Sequence, residues 1–249
     1  METISSRRNA TIRRLRDLGS DAASRREAGE YLCDGMKTLR EALQYGASVR
    51  TVLWKEKPQA LPGLDAAAQY IALPELFDYA SPLANSPGPL FSVAIPEETA
   101  LPPLRNALIL ENVQDPGNVG TVIRTANAFG VDAVILVGAC ADLYQPKTVR
   151  ATMGAIFRQR VLQRDWEGLC ALLKAQGLPL YGAALDPAAK DVRAVSLKRA
   201  AVAVGSEGQG LSARLLAQCE EKLIIPMRPD SESLNAAVAA SVLMWEMAR

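Results

Sequence analysis

The chain has 249 residues, is 49% apolar and carries 28 basic against 27 acidic residues, so it has material for a sizeable core and a net charge of only +1. It contains no histidine, which excludes Ser-His-Asp and Cys-His nucleophilic systems, imidazole acid–base catalysis and most zinc sites. The four cysteines, Cys33, Cys140, Cys170 and Cys219, are scattered without a C-x-x-C pair; buried thiols in a reducing compartment are expected, with no metal site.

The amino-terminal stretch METISSRRNATIRRLRD has charge but no apolar core of the secretory kind. The most apolar stretches, such as 236–245, fall short of the roughly 18 to 20 residues that span a bilayer. A folded, soluble, cytoplasmic protein without a membrane segment is expected.

In chain order, an arginine-rich helical lead-in comes first. MKTLREALQYG then places Met36, Leu39 and Leu43 on one helical face and stops at Gly46. VRTVLW, QYIAL (69–73) and LFSVAI (90–95) read as strands, the last two separated by the turn-rich SPLANSPGP. These elements predict a small α/β domain over residues 1–98. IPEETALPPLRN, with Pro96, Pro102 and Pro103, is the expected linker, because prolines favour extended chain.

Residues 99–249 change character. ALILE, the helix of DPGNVGTVIRTANAFG, DAVILV, a helix through VRATMGAIF, a helix around WEGLCALLKAQG, LPLYGAAL, AAVAV, KLIIP and a final helix from about Ser233 follow in turn. Apolar strands alternating with helices imply an α/β fold with a parallel sheet covered on both faces.

Positive charge is uneven. Seven arginines (Arg7, Arg8, Arg13, Arg14, Arg16, Arg25, Arg26) face Asp17 and Asp21 in the first block, and Lys147, Arg150, Arg158, Arg160 and Arg164 form a second with no acid between them. Such blocks suit a polyanionic partner, with Arg7, Arg8, Arg13, Arg14, Lys147 and Arg150 as candidate contacts. Solvated helix faces are the other reading.

Parallel sheets bind ligands beyond the carboxyl ends of their strands, and three unusual loops are expected there: ENVQDPGN after ALILE, GSEGQG after AAVAV, and MRPDSES after KLIIP. On the helix following the first loop, Val119, Val122, Ile123, Ala126 and Phe129 share a face and Arg124 projects away from it. The second loop is a poor phosphate cradle, because Glu207 repels an anion. Its glycines suit close approach to a neutral or cationic ligand, or simply a tight turn. Ser233 is placed to cap the final helix.

LILENVQDPGNVGTVIRTANAFGVDAVIL, VAVGSEGQGLS and LIIPMRPDSESLNAAVAAS resemble, in order and spacing, the three motifs of the SpoU/TrmH family of RNA ribose methyltransferases in the SPOUT superfamily. YQPKTVRATMGAIFR (144–158) is similar to a further family segment, and residues 1–98 resemble the family's ribosomal-protein-like substrate-binding domain. The resemblance implies a deep trefoil knot in the carboxyl-terminal part, against the general prior for unknotted chains. It implies S-adenosylmethionine held by Gly205, Ile225, Met227 and Leu234, and a homodimer. Arg124 takes the role of base or electrostatic stabiliser for a ribose 2′-hydroxyl, with Asn118, Glu207, Ser233 and Asn235 orienting the reacting groups. Three departures stand out: Pro229 where relatives often have glycine, and Ala236 and Ala237 where they often have valine and serine.

The reading is an S-adenosylmethionine-dependent RNA 2′-O-methyltransferase, acting on large-subunit ribosomal RNA, with transfer RNA as the alternative substrate. A noncatalytic RNA-binding module retaining the fold is a second reading. A nucleotide-dependent oxidoreductase is a third, and the G-x-G-x-x-G turn it needs does not open the second domain.

Overall fold

The structure is a computed structural model that describes residues 2–228 and 233–249. Pro229 lies outside the described residues. The chain forms two compact units, Met1–Glu98 with Asp142–Phe157, and Thr99–Ala141 with Arg158–Arg249.

In the first unit β1 (Glu2–Ile4), β2 (Glu30–Asp34), β3 (Val49–Trp54), β4 (Ala68–Ala72) and β5 (Leu90–Ala94) make a mixed sheet of order β1-β4-β3-β5-β2. β5 runs antiparallel to β2 and β3. The helices are α1 (Ala10–Ser20), α2 (Ala22–Ala28), α3 (Met36–Gln44) and α4 (Pro74–Ala80). Asn9 caps α1 by accepting from Thr11 N at 2.8 Å. Ile12, Leu15 and Leu18, spaced for one helical face, are buried with Leu76, Phe77 and Ala80 of α4.

The second unit holds β6 (Ala107–Glu111), α5 (Pro116–Phe129), β7 (Ala133–Val137) and then, after the excursion over 142–157 that carries α6 (Pro146–Ala151), β8 (Val161–Arg164) and α7 (Trp166–Gln176). β9 (Leu180–Ala183), β10 (Lys190–Asp191), β11 (Ala201–Gly205), α8 (Ala213–Leu216), β12 (Glu221–Ile224) and α9 (Ala236–Ala248) complete it. The sheet order is β10-β12-β9-β11-β6-β7-β8, and every pairing is parallel. β6, β7 and β11 are buried along their whole length, as the uninterrupted apolar runs require of a sheet covered on both sides.

Two expectations need correction. Residues 142–157, assigned above to the second domain, pack with the first unit. There Arg25, nearly buried, donates to Asp142 Oδ2 at 2.6 Å and to Leu18 O at 2.8 Å, Tyr144 lies on Tyr31 with ring centroids 4.8 Å apart, and Val149 joins the core around Leu39 and Val52. The helix expected through VRATMGAIF ends at Ala151, because Met153 and Gly154 take left-handed φ values of 49° and 86° that no α-helix continues.

At the start of the parallel sheet, burial alone would raise the Asp132 carboxyl, but hydrogen bonds from Arg105 N at 2.7 Å, the Arg105 guanidinium at 3.3 Å and Asn106 N at 3.4 Å hold it below the ordinary range. Its stabilising effect is complete above the unfolded value, about 3.9, and is lost as the pH falls through the depressed folded value. Urea titrations at falling pH are expected to show a shallower acid loss of stability for Asp132→Asn than for wild type below about pH 4.

Candidate active site

The first loop begins at Glu111, the last residue of β6. Asn112 takes φ 56° and its Oδ1 accepts from Ala139 N at 2.8 Å. Asp115 caps α5 by accepting from Asn118 N at 2.9 Å, with Pro116 at the first helical position. This cap puts Asn118 in the opening turn of α5.

The second loop leaves β11 at Gly205. Gly210 N donates to Ser206 O at 2.8 Å and closes it. Beyond it, Ser212 N and Ser212 Oγ each donate to the buried Glu111 carboxylate at 2.7 Å. Two charge-assisted bonds to a carboxylate shielded from water tie the second loop to the end of the first strand.

The third loop delivers Asn235, the N-cap of α9, whose Oδ1 accepts from Ala237 N at 2.9 Å and Val238 N at 3.2 Å. Asn235, not Ser233, therefore caps the final helix, which starts at Ala236. With that oxygen committed, the Asn235 amide nitrogen faces outward and donates to Asn118 Oδ1 at 3.1 Å and Glu207 Oε1 at 3.3 Å. Asn118 Nδ2 donates to Glu207 Oε1 as well, and Ala236 N adds a third direction at 3.3 Å. A carboxylate over the first turn of α9 is also favoured by the helix dipole. The three loops, the first 89 residues from the second and the third a further 28 along, thus meet in one closed hydrogen-bond network of Asn118, Glu207 and Asn235.

Beside this network is a cavity of 420 Å³ walled by the ends of β9, β11 and β12. Gly205, Ile225, Met227 and Leu234 all line it, together with Glu207 and Ser233. Ala183, Ala184 and Leu185 form a wall that the sequence did not single out. Volume and a largely apolar lining with few polar groups are those of a small-molecule site.

Arg124 is not in this cluster. It lies six residues beyond Asn118 on α5, about 120° around the helix, exposed and without a hydrogen bond or ion pair among the described residues. Of the candidate RNA contacts, Arg7, Arg8, Arg13, Lys147 and Arg150 are exposed. Arg14, exposed as well, also serves the fold, pairing with Glu30 at 2.5 Å and reaching Thr51 Oγ1 and Ser92 Oγ.

Glu111 and Ser212 are the functional-site residues that sequence reasoning missed. An acid closing an otherwise apolar strand was the available signal. Among the described residues no acidic or thiol cluster could hold a metal ion. Burial, and next the Glu111 charge, push the Cys219 thiol up to about 11, which leaves it protonated and unreactive near neutrality.

The model of the SpoU rRNA Methylase family matches residues 105–245. The chain is 33% identical to the 23S rRNA (guanosine(2553)-2'-O)-methyltransferase RlmP of Bacillus subtilis (strain 168), over 99% of each chain. It is 27% identical to the 23S rRNA (uridine(2479)-2'-O)-methyltransferase of Streptomyces viridochromogenes, over 97% of this chain and 90% of that one. The AdoMet-bound rRNA methyltransferase from Sinorhizobium meliloti superposes with a TM-score of 0.90 at 25% identity, over 99% of this chain and 97% of that one. The SpoU methyltransferase AviRb from Streptomyces viridochromogenes, in complex with AdoMet, gives 0.86 at 26% identity, over 97% and 98%. The chain belongs to the SpoU rRNA Methylase family, the family that its three loop motifs resemble.

Proposed function

We propose that this protein is an S-adenosylmethionine-dependent methyltransferase that places a methyl group on a ribose 2′-hydroxyl of large-subunit ribosomal RNA. The observation that carries the proposal is the meeting of Asn118, Glu207 and Asn235 beside the 420 Å³ cavity. The cavity fits the cofactor: small and apolar side chains suit an adenosine, and the Glu207 carboxylate at the rim suits a sulfonium cation and repels the phosphates of a nucleotide. Gly205, Ile225, Met227 and Leu234 would hold the cofactor, which supplies an activated methyl group. Relatives named for 23S rRNA favour ribosomal over transfer RNA.

Glu207 Oε1 is occupied by three donors, while Oε2 has no partner among the described residues. In this reading Oε2 accepts from the ribose hydroxyl, and Asn118 and Asn235 keep the carboxylate in place. Arginine offers only donors, so Arg124 acts by stabilising the negative charge that develops on the ribose oxygen. Ser233 takes a supporting role at the cavity wall.

The first unit is the RNA-holding part in this reading, through its exposed arginines and through Lys147 and Arg150. The chain pairs with a second copy across α5 and α9. Supporting this, α9 is apolar nearly all round yet leaves Trp245 57% and Val238 50% exposed, a helix surface that water does not favour. A trefoil knot is supported by strand order, since the last strand, β12, inserts between β9 and β10. An RNA substrate goes with a cytoplasmic location.

The direct test is incubation with methyl-labelled S-adenosylmethionine and RNA lacking its own modifications; label on 23S RNA and none on transfer RNA is expected, and the reverse would overturn the substrate assignment. Asn235→Ala removes a helix cap, worth about 1 kcal/mol, and the donor to Glu207; its melting temperature should fall by about 2–4 °C with a loss of methyl transfer. Asn235→Ser restores the cap alone, so melting should recover and activity should not. Trp245→Glu is expected to convert the dimer into a monomer in light scattering at micromolar concentration.

A further inference from the structure

Tyr79, at the end of α4, lies under two guanidinium groups: Cζ of Arg7 is 4.8 Å and Cζ of Arg16 is 4.1 Å from its ring centroid. Arg7 comes from the turn before α1 and Arg16 from α1 itself, and both are exposed. Neither is in an ion pair among the described residues. Two arginines of this unit, by contrast, are paired: Arg14 with Glu30 and Arg25 with Asp142. Asp78, beside Tyr79 in sequence, is taken by Lys55 at 2.7 Å.

One cation on an aromatic ring is an ordinary packing contact. Two on one ring, without a carboxylate to neutralise either, repel each other, and an anion bound between or beside them removes that repulsion. A guanidinium over an aromatic face prefers to stack parallel to it, and one so placed offers an outer face for a base and an N–H edge for a phosphate. Exposed Arg8 and Arg13 continue the positive strip along α1.

We infer that Arg7, Tyr79 and Arg16 form a binding site for an unpaired nucleotide of RNA, with the base stacked on a guanidinium plane and the flanking phosphates at the two N–H edges. The stack of planar groups favours a nucleotide over a bare anion, which needs no flat surface. The inference rests on the RNA substrate proposed above and names where an unpaired segment of it docks.

The test is fluorescence anisotropy of the full chain with a short, labelled, unstructured RNA over a series of salt concentrations. Arg7→Ala combined with Arg16→Ala should weaken binding about tenfold or more and make the salt dependence shallower by about 1.4 in the log–log slope, two phosphates at roughly 0.7 each. Arg16→Lys keeps the charge but loses the plane, so the slope should persist while affinity falls several-fold. Tyr79→Leu should resemble Arg16→Lys, with circular dichroism melting as the check of folding. Variants that melt earlier but bind RNA with wild-type affinity and slope would show a mere staple for the segment before α1 and overturn the inference. If the wild type does not bind the short RNA yet methylates 23S RNA, or binds it and the variants match it, the inference alone fails; if the wild type neither binds nor methylates RNA, the substrate reading fails with it.

Discussion

Arg124→Ala is expected to lower methyl transfer by about 10²–10³ or more, the usual consequence of removing one charge-stabilising donor from a reacting centre, while leaving the fold unchanged. The unchanged fold follows from where Arg124 sits; the loss of turnover follows from the role that the family resemblance implies for it. It projects from α5 away from Val119, Val122, Ile123 and Ala126, which are buried, and it holds nothing else in place among the described residues. Substitutions at such positions usually change stability by no more than about 0.5 kcal/mol. Melting curves and S-adenosylmethionine affinity should therefore match the wild type. Arg124→Lys should fall between the two, because it keeps charge and loses the fork. A variant with wild-type turnover would remove Arg124 from the chemistry.

Gly205→Ala should instead destroy the cofactor site. A Cβ at Gly205 would overlap the Gly210 carbonyl and come within 2.5 Å of Leu211 N. These are backbone atoms and cannot swing aside as a side chain does. The loop is closed at Ser206 and Gly210 and anchored by Ser212 on Glu111, so it must move as a piece, taking Glu207 and one wall of the cavity with it. Overpacking of this kind costs about 1–3 kcal/mol, and titration calorimetry should show S-adenosylmethionine affinity falling by about fivefold to a hundredfold. Gly208→Ala is the matched control, since a Cβ there meets nothing within 4 Å; its affinity should stay within about threefold of wild type.

Much of this was legible in the sequence because the signals were local. ALILE, DAVILV and AAVAV are apolar apart from a terminal acid in each of the first two, and became the buried strands β6, β7 and β11. Asp-Pro-Gly before an apolar helical repeat became the capped start of α5. The four cofactor positions implied by the family resemblance line one cavity. What escaped depends on partners distant in sequence. Nothing near Glu111 shows that it will clamp Ser212, and nothing near Arg14 shows that Glu30, Thr51 and Ser92 will absorb it. The break after Ala151 was hidden because Met153 gives no warning of a left-handed backbone. Packing of residues 142–157 with the first unit rests on Arg25, Tyr31 and the core around Val149, which no window of sequence displays together.

The central claim is that the methyl group goes to a ribose oxygen of ribosomal RNA, and alkaline hydrolysis of the labelled product tests it most directly. Hydroxide cleaves RNA through attack of the 2′-oxygen on the neighbouring phosphate, so a methylated ribose blocks cleavage at its own position. The account predicts label from 23S RNA in an alkali-resistant dinucleotide, absent with Arg124→Ala. Label released in mononucleotides would place the methyl on a base and contradict it.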